Sequence, residues 1–204
     1  MPQNFNTNRM NELSYSLGVS VAYNLKEQGF EVESIEDFSK ALYDVIEGKD
    51  LAFPQEKVGE IVNNYFKELQ EKKFAEKKAE GEKFLVENAK REGVVVLESG
   101  LQYEIMTEGE GEKPTIDDKV TTHYHGTLIN GSVFDSSVQR GQPASFPVAG
   151  VIKGWTEALQ LMAVGSKWKL FIPSDLAYGA QGAGQAIAPH STLVFEVELI
   201  SIDK

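Results

Sequence analysis

Cysteine is absent from this chain, which excludes disulfides and thiolate nucleophiles and leaves the redox compartment unspecified. Positive charge is scarce: 20 Lys and Arg stand against 31 Asp and Glu, for a net charge of -11 at pH 7. Such a field opposes phosphate backbones and anionic membrane surfaces, so neither nucleic acid nor a membrane is an expected partner. The deficit is shared, with 13 basic and 18 acidic residues before Gly93 and 7 and 13 after it. No run approaches the ~18 apolar residues a membrane span needs. The polar start, Met1 to Asn8, lacks the apolar core of a secretory signal. A cytoplasmic location is therefore expected, with the periplasm as the alternative if a leader has been removed.

Reactive constellations are missing too. No Ser-His-Asp arrangement is evident. The glycine-rich stretch from Gly179 to Gly184 lacks the Lys-Ser/Thr and the strand-to-helix setting of a nucleotide loop, and is expected to be a flexible loop. His123 and His125 share one face of a strand but find no further ligand cluster, so they are expected to be surface or structural residues rather than a metal site. What remains is chemistry without covalent bonds, or plain binding.

What is present falls into two halves. With 204 residues, 41% of them hydrophobic, the chain can build one large domain or two smaller ones. Leu13, Leu17, Val21 and Leu25 recur every four residues, predicting a first amphipathic helix from Asn11 to a closing Gly29. Ser34-Ile35-Glu36-Asp37 fits a capping box ahead of Phe38, Ala41, Leu42, Val45 and Ile46, predicting a second helix that stops near Gly48. From Pro54 a proline-free stretch runs to Glu92, and its 38 residues from Gln55 would form a helix of roughly 57 Å. Val58, Ile61, Val62, Tyr65, Phe66 and Leu69 give its first half an apolar stripe. Charge dominates from Glu71 to Glu82, so the second half is expected to be a solvated rod that spaces two domains. Helices this short bury too little apolar area alone; a homodimer through residues near 10–70 is expected, with a monomer in which this helical part packs on the C-terminal half as the alternative.

After Gly93 the period changes. Leu101–Met106, Val120–Leu128, Lys167–Ile172 and Thr192–Ile202 read as strands of a mostly antiparallel sheet. Gly154 to Met162 reads as one short helix inside its curve. Five large side chains, Tyr124, Phe134, Trp155, Tyr178 and Phe195, are spread along this half around a single carboxylate, Asp135. A carboxylate in an apolar wall needs a placed partner; Arg140 is the nearest candidate, with Tyr124 also possible.

The stretches Thr122-His123-Tyr124-His125-Gly126, Phe134-Asp135-Ser136-Ser137, Gly150-Val151-Ile152-Lys153-Gly154-Trp155, Ala177-Tyr178-Gly179 and Thr192-Leu193-Val194-Phe195-Glu196 resemble, in order and spacing, the motifs of an FKBP-type peptidyl-prolyl cis-trans isomerase domain across residues 94–204. The helical half is similar to the macrophage infectivity potentiator and FklB-like bacterial branch. The resemblance implies an α+β fold: a helical dimerisation domain over residues 1–53, a long connecting helix over 54–93, and an antiparallel sheet wrapped around a short helix over 94–204. It implies a pocket with Trp155 as floor, with Tyr124, Phe134, Val151, Ile187 and Phe195 as walls, and with polar contacts from Asp135, Tyr178 and the Ile152 backbone N–H. Asp135, Tyr178, Tyr124 and Phe134 are then expected to carry turnover. Trp155, Val151, Ile152, Ile187, Phe195 and Arg140 are expected to hold substrate.

Ala144, Ala183 and Ala188 depart from the best-known members, which bears on substrate preference and on affinity for macrolides such as rapamycin. The expected activity is cis-trans isomerisation of Xaa-Pro bonds in unfolded or partly folded proteins, with associated chaperone activity and no metal or organic cofactor. The rival reading is a non-enzymatic chaperone or scaffold that holds clients in the same pocket and helical cleft.

Overall fold

Residues 11–203 are described by a computed structural model; the first ten residues of the expected dimerisation domain, and Lys204, lie outside that range. The chain forms two compact units that meet in sequence between Gln70 and Glu71.

Three helices supply the first unit. Helix α1 covers Glu12–Gln28, with the Asn11 side chain accepting from the Ser14 N–H and Gly29 closing it at φ 85°. Helix α2 covers Ile35–Ile46, with the Ser34 hydroxyl accepting from the Asp37 N–H. Gly29 and Ser34 are the caps the sequence signalled; Asn11 and Ser34 each satisfy an N–H that the first turn would otherwise leave open, and Gly29 donates its own N–H to the Lys26 carbonyl at 3.0 Å. Helix α3 covers Gln55–Asn88, 34 residues, or about 51 Å. Phe30 stacks on Tyr65 at 5.5 Å and meets Phe66 edge-on at 4.4 Å, so the α1–α2 connection is pinned to the first half of α3. Little else is covered. Leu13, Leu17, Val21, Leu42, Val45, Ile61 and Val62 all remain exposed, so the predicted stripes exist and lie bare.

The second unit is built on a seven-stranded antiparallel sheet. Its strands are β1 (Val94–Val96), β2 (Gln102–Thr107), β3 (Lys119–Leu128), β4 (Val133–Ser136), β5 (Ala144–Pro147), β6 (Lys167–Ile172) and β7 (Leu193–Asp203). The order is β1-β2-β6-β7-β3-β4, with β5 also paired to β3. A four-residue helix α4 (Ser137–Arg140) follows β4, and α5 (Lys153–Leu161) lies between β5 and β6. The inner face alternates as a half-buried strand should: Val120, Thr122, Tyr124 and Gly126 of β3 point inward, and Leu170, Ile172, Phe195, Val197 and Leu199 join Trp155, Ala158 and Leu159 of α5 in one core.

The second half of α3 is not a solvated rod. Gly81 and Asn88 are buried. Phe84 approaches Phe171 of β6 at 6.1 Å, and the Arg91 guanidinium lies 5.7 Å over the same ring. Asn88 donates through Nδ2 to Gln102 Oε1 at 2.9 Å, and Gln102 returns Nε2 to the Leu85 carbonyl at 2.9 Å. Both amides are buried, and with Arg91 Nη1 donating to Asn88 Oδ1 at 2.8 Å each has a partner for its oxygen and its nitrogen, which offsets the cost of burying either. The charged residues that suggested a rod lie on the remaining faces of the helix, where Lys77–Glu80 at 2.8 Å forms one exposed pair.

Candidate active site

Gly126 decides how tightly the inner wall closes. A Cβ at that position would stand 2.7 Å from Phe134 Cζ and 2.7 Å from Phe195 Cε1, so the two rings meet over a bare backbone. They do so edge-to-face, at 5.3 Å and 83°. Trp155, at the first turn of α5, takes Phe195 at 5.2 Å and 80° and Tyr124 at 5.4 Å and 82°. Edge-to-face contact places the positive rim of one ring on the negative face of the next, and it leaves faces free for a flat apolar guest. The result is a cleft of about 650 Å³ lined by Tyr124, Phe134, Asp135, Phe146, Gly150, Val151, Ile152, Trp155, Tyr178, Ala183, Ala186, Ile187 and Phe195.

Nine of the ten site residues expected from the sequence line this cleft, and the tenth, Arg140, reaches its wall. Phe146 was missed. It stands two residues after Ala144 on β5, both partly covered while Ser145 and Pro147 are exposed. The Phe146 ring meets Trp155 at 5.9 Å, from the same strand face as Ala144. The two-residue period was the signal that could have found it. At the end of the glycine-rich loop the Ala183 N–H donates to the Ile187 carbonyl at 2.8 Å and the Ile187 N–H donates to the Ala183 carbonyl at 3.1 Å. That pairing holds Ile187 against the cleft. His123 and His125 share hydrogen bonds through Nδ1 with Ser137 and Ser136, each at 3.0 Å.

The polar wall is a closed triangle. Tyr124 donates its hydroxyl to Asp135 Oδ2 at 2.5 Å, and Arg140 donates Nη2 to the Tyr124 hydroxyl oxygen at 2.7 Å and Nη1 to Asp135 Oδ1. Helix α4 makes this possible: Ser136 caps it by accepting from the Gln139 N–H, and its single turn swings Arg140 back over Tyr124, with Cζ 5.6 Å from the ring centre. Burial pushes the Asp135 carboxyl up, but the Tyr124 and Arg140 hydrogen bonds and the Arg140 charge outweigh it and hold the carboxyl below its usual range. Burial, followed by the hydrogen bond to Asp135, pushes the Tyr124 hydroxyl up. Asp135 therefore stays a carboxylate and Tyr124 a neutral donor across the physiological range.

The sign of the pH dependence follows. A lowered carboxyl contributes above its ordinary value and is lost only as pH falls through the folded one; a raised hydroxyl contributes until pH rises through its own. Turnover is expected to be flat between roughly pH 5 and 9, inside the ordinary carboxylate and tyrosine values. A kcat/KM profile on a short peptide checks this. An inflection near neutrality would transfer the role to a histidine.

With this geometry in hand, two family models match the chain. One, described as FKBP-type peptidyl-prolyl cis-trans isomerase, spans residues 110–200, and the other, described as the domain amino terminal to it, spans residues 10–105. The FKBP-type 22 kDa peptidyl-prolyl cis-trans isomerase of Escherichia coli (strain K12) is 50% identical over 198 residues, 94% of this chain and 94% of the relative. The outer membrane protein MIP of Legionella longbeachae is 43% identical over 97% of this chain and 88% of its own length. The crystal structure of FkpA from Escherichia coli superposes with a TM-score of 0.76 at 36% identity, over 94% of this chain and 93% of that one.

Proposed function

The chain belongs to the FKBP-type peptidyl-prolyl cis-trans isomerases, and from that premise we propose that it rotates Xaa-Pro bonds of unfolded or partly folded proteins in the aromatic cleft of its second unit. The observation that carries the reading is the edge-on ring cluster of Tyr124, Trp155, Phe195 and Phe134, closed on one side by the Tyr124–Asp135–Arg140 triangle.

Amide resonance sets a barrier of ~18–20 kcal/mol, so an unaided Xaa-Pro bond turns over in tens to hundreds of seconds. In the twisted amide that resonance is broken and the charge separation of the carbonyl falls. A cleft that excludes water disfavours the more polar planar form, and so favours the twisted one relative to solution. The proline ring lies on Trp155, with Phe134, Phe195, Val151 and Ile187 around it. The Ile152 N–H, ahead of the first turn of α5, and the Tyr178 hydroxyl orient neighbouring peptide carbonyls. Asp135 keeps Tyr124 and Arg140 in place and faces the rotating carbonyl group. No covalent bond is made or broken, so no cofactor is called for. Macrolides such as rapamycin are proposed as ligands of the same cleft, with affinity altered by the small rim residues Ala144, Ala183 and Ala188.

The isomerase unit is proposed to take in the second half of α3 as well as residues 94–204, a reading supported by the buried pair of Asn88 on α3 and Gln102 on β2. Residues near 10–70 are proposed to pair with a second copy, whose stripe would cover the exposed Leu13, Leu17, Val21, Val45, Ile61 and Val62; bare apolar surface on this scale marks an interface. Chaperone action would use that paired surface. No helix among the described residues is long and apolar enough to cross a membrane, and fractionation of cells distinguishes the cytoplasmic location from the periplasmic alternative.

One experiment tests both parts. The intact protein and Ile61→Glu are compared on a short Xaa-Pro peptide and on a protein whose refolding waits on proline. The intact protein is expected to accelerate both, and Ile61→Glu to sediment as a monomer, keep peptide turnover and lose efficiency in refolding. No acceleration of the peptide by the intact protein sinks the cleft as an isomerase site, and equal refolding efficiency sinks the paired surface as a client holder.

A further inference from the structure

His190 carries two departures from the ordinary at once. Its φ is 59°, left-handed, where every other described residue with positive φ is glycine. Its Nδ1 is buried with no hydrogen-bond partner among the described residues. Histidine tolerates the left-handed region better than most side chains, yet the conformation is strained. An orphaned buried polar atom is a cost as well. Two costs at one position, outside the cleft lining itself, point to a role in function rather than in stability.

Its neighbours show what that role is. The His190 N–H donates to the Gly179 carbonyl at 2.8 Å, directly after Tyr178. Three residues back lies Ile187, held to Ala183 at the cleft. On the other side, the imidazole faces the ring of Phe74 on α3 at 6.3 Å and 57°. About two turns further along α3, the helix backbone closes on Thr192, whose Oγ1 would stand 2.3 Å from a Cβ at Gly81. The loop from Tyr178 to Ser191 is thus tied at its start by the His190 backbone, and its end lies close against α3.

Resting on the cleft reading above, we infer that His190 is a positioning residue for the isomerase reaction, and that α3 sets, through Phe74, the register of the loop that presents Tyr178 and Ile187 to the peptide. The helix segment before residue 94 then contributes to substrate grip without touching substrate. Removing the Phe74 ring frees the imidazole, and the Gly179 bond no longer holds Tyr178 at one distance from the Trp155 floor. Because Tyr178 and Ile187 orient the peptide, the loss falls on binding rather than on the rotation step.

The test uses the full chain in four variants, Phe74→Ala, Phe74→Leu, His190→Gly and the double Phe74→Ala/His190→Gly, at a temperature where thermal melting shows each to be folded. His190→Gly keeps the left-handed backbone and removes only the ring. Phe74→Ala and His190→Gly are each expected to raise KM for a short Xaa-Pro peptide about three- to ten-fold with kcat within about two-fold, the signature of lost binding. Phe74→Leu, which refills the contact, should restore KM, and the double variant should be no worse than the worse single, as residues acting through one contact require. Unchanged KM in both singles, additive effects in the double, or equal loss in kcat would overturn the inference. In each of those cases the intact protein still accelerates the peptide, so the cleft reading stands; a silent intact protein would be its failure instead.

Discussion

Asp135→Leu is expected to lower kcat/KM on a short Xaa-Pro peptide by about ten- to a hundred-fold, about 1.4–2.7 kcal/mol of lost transition-state stabilisation, while the thermal melt changes little. The carboxylate is the acceptor for both the Tyr124 hydroxyl and the Arg140 guanidinium. Leucine leaves Tyr124 bonded only to a cation and leaves Arg140 without its anion, so two walls of the cleft lose their fixed orientation. A hydrogen bond to a charged group contributes about 1.5–3 kcal/mol, and the exposure of the pair, 51% for Arg140 and 43% for Asp135, keeps the expected effect toward the lower end. The same exposure is why the fold survives. Asp135→Asn keeps the shape and an acceptor oxygen, and should fall between the two. Steady kcat/KM in Asp135→Leu, with intact secondary structure by circular dichroism, would remove the triangle from the mechanism.

The second large effect lies away from the cleft. In Gly81→Leu a Cβ would sit 2.3 Å from Thr192 Oγ1 and 3.2 Å from its Cβ, so the helix must lift off the sheet. Forcing such a contact costs about 1–3 kcal/mol. Lifting also uncovers Phe171, which is only 2% exposed, and unpairs the buried amides of Asn88 and Gln102 at about 1–3 kcal/mol for each unsatisfied group. The urea midpoint of the second unit should fall by an amount corresponding to about 3–5 kcal/mol. A chain beginning at Gly93 should fall as far, and one beginning at Glu71 should not. Equal midpoints for those two shorter chains would show that the second half of α3 contributes nothing to the sheet.

That result would also measure what the sequence concealed. The caps at Ser34 and Gly29 were legible because capping is local: each acts on residues within one turn. The four long strands were legible through the two-residue period, and the lining of the candidate cleft through its ordered motifs. The strands β1, β4 and β5, of three or four residues, are too short for a period to declare itself. The covered face of α3 runs through Phe74, Lys77, Gly81, Phe84, Leu85 and Asn88, at helical spacing, but glycine and asparagine at its two buried positions carry no hydrophobic signal. Contact there is made by bare backbone and paired amides. The complementary sign was on the sheet. Along its outer face Lys167 and Lys169 give way to Phe171, and Glu198 and Glu196 give way to Val194, with Phe171 in register with Val194 and Lys169 with Glu196. Where the charged pairs end, an apolar pair begins, and it needs a cover that no strand provides. The stripes of α1 and α2 posed the opposite problem: they were read correctly, and a single copy of the chain leaves them uncovered.

The placement of β7 carries a consequence for the order of assembly. It is the last strand in sequence, yet it lies between β6 and β3 in the sheet, pairing with β3 from Lys119↔Asp203 to Leu128↔Leu193. Strands so distant along the chain pair slowly, since loop closure must precede any reward from contact. On a ribosome the earlier strands emerge with a gap where β7 belongs, and Phe195, which faces Trp155, Tyr124 and Phe134, is missing from the ring cluster until β7 enters. No shorter nascent chain possesses the cleft. The sheet and the ring cluster are completed by the same event, the entry of β7 between β3 and β6.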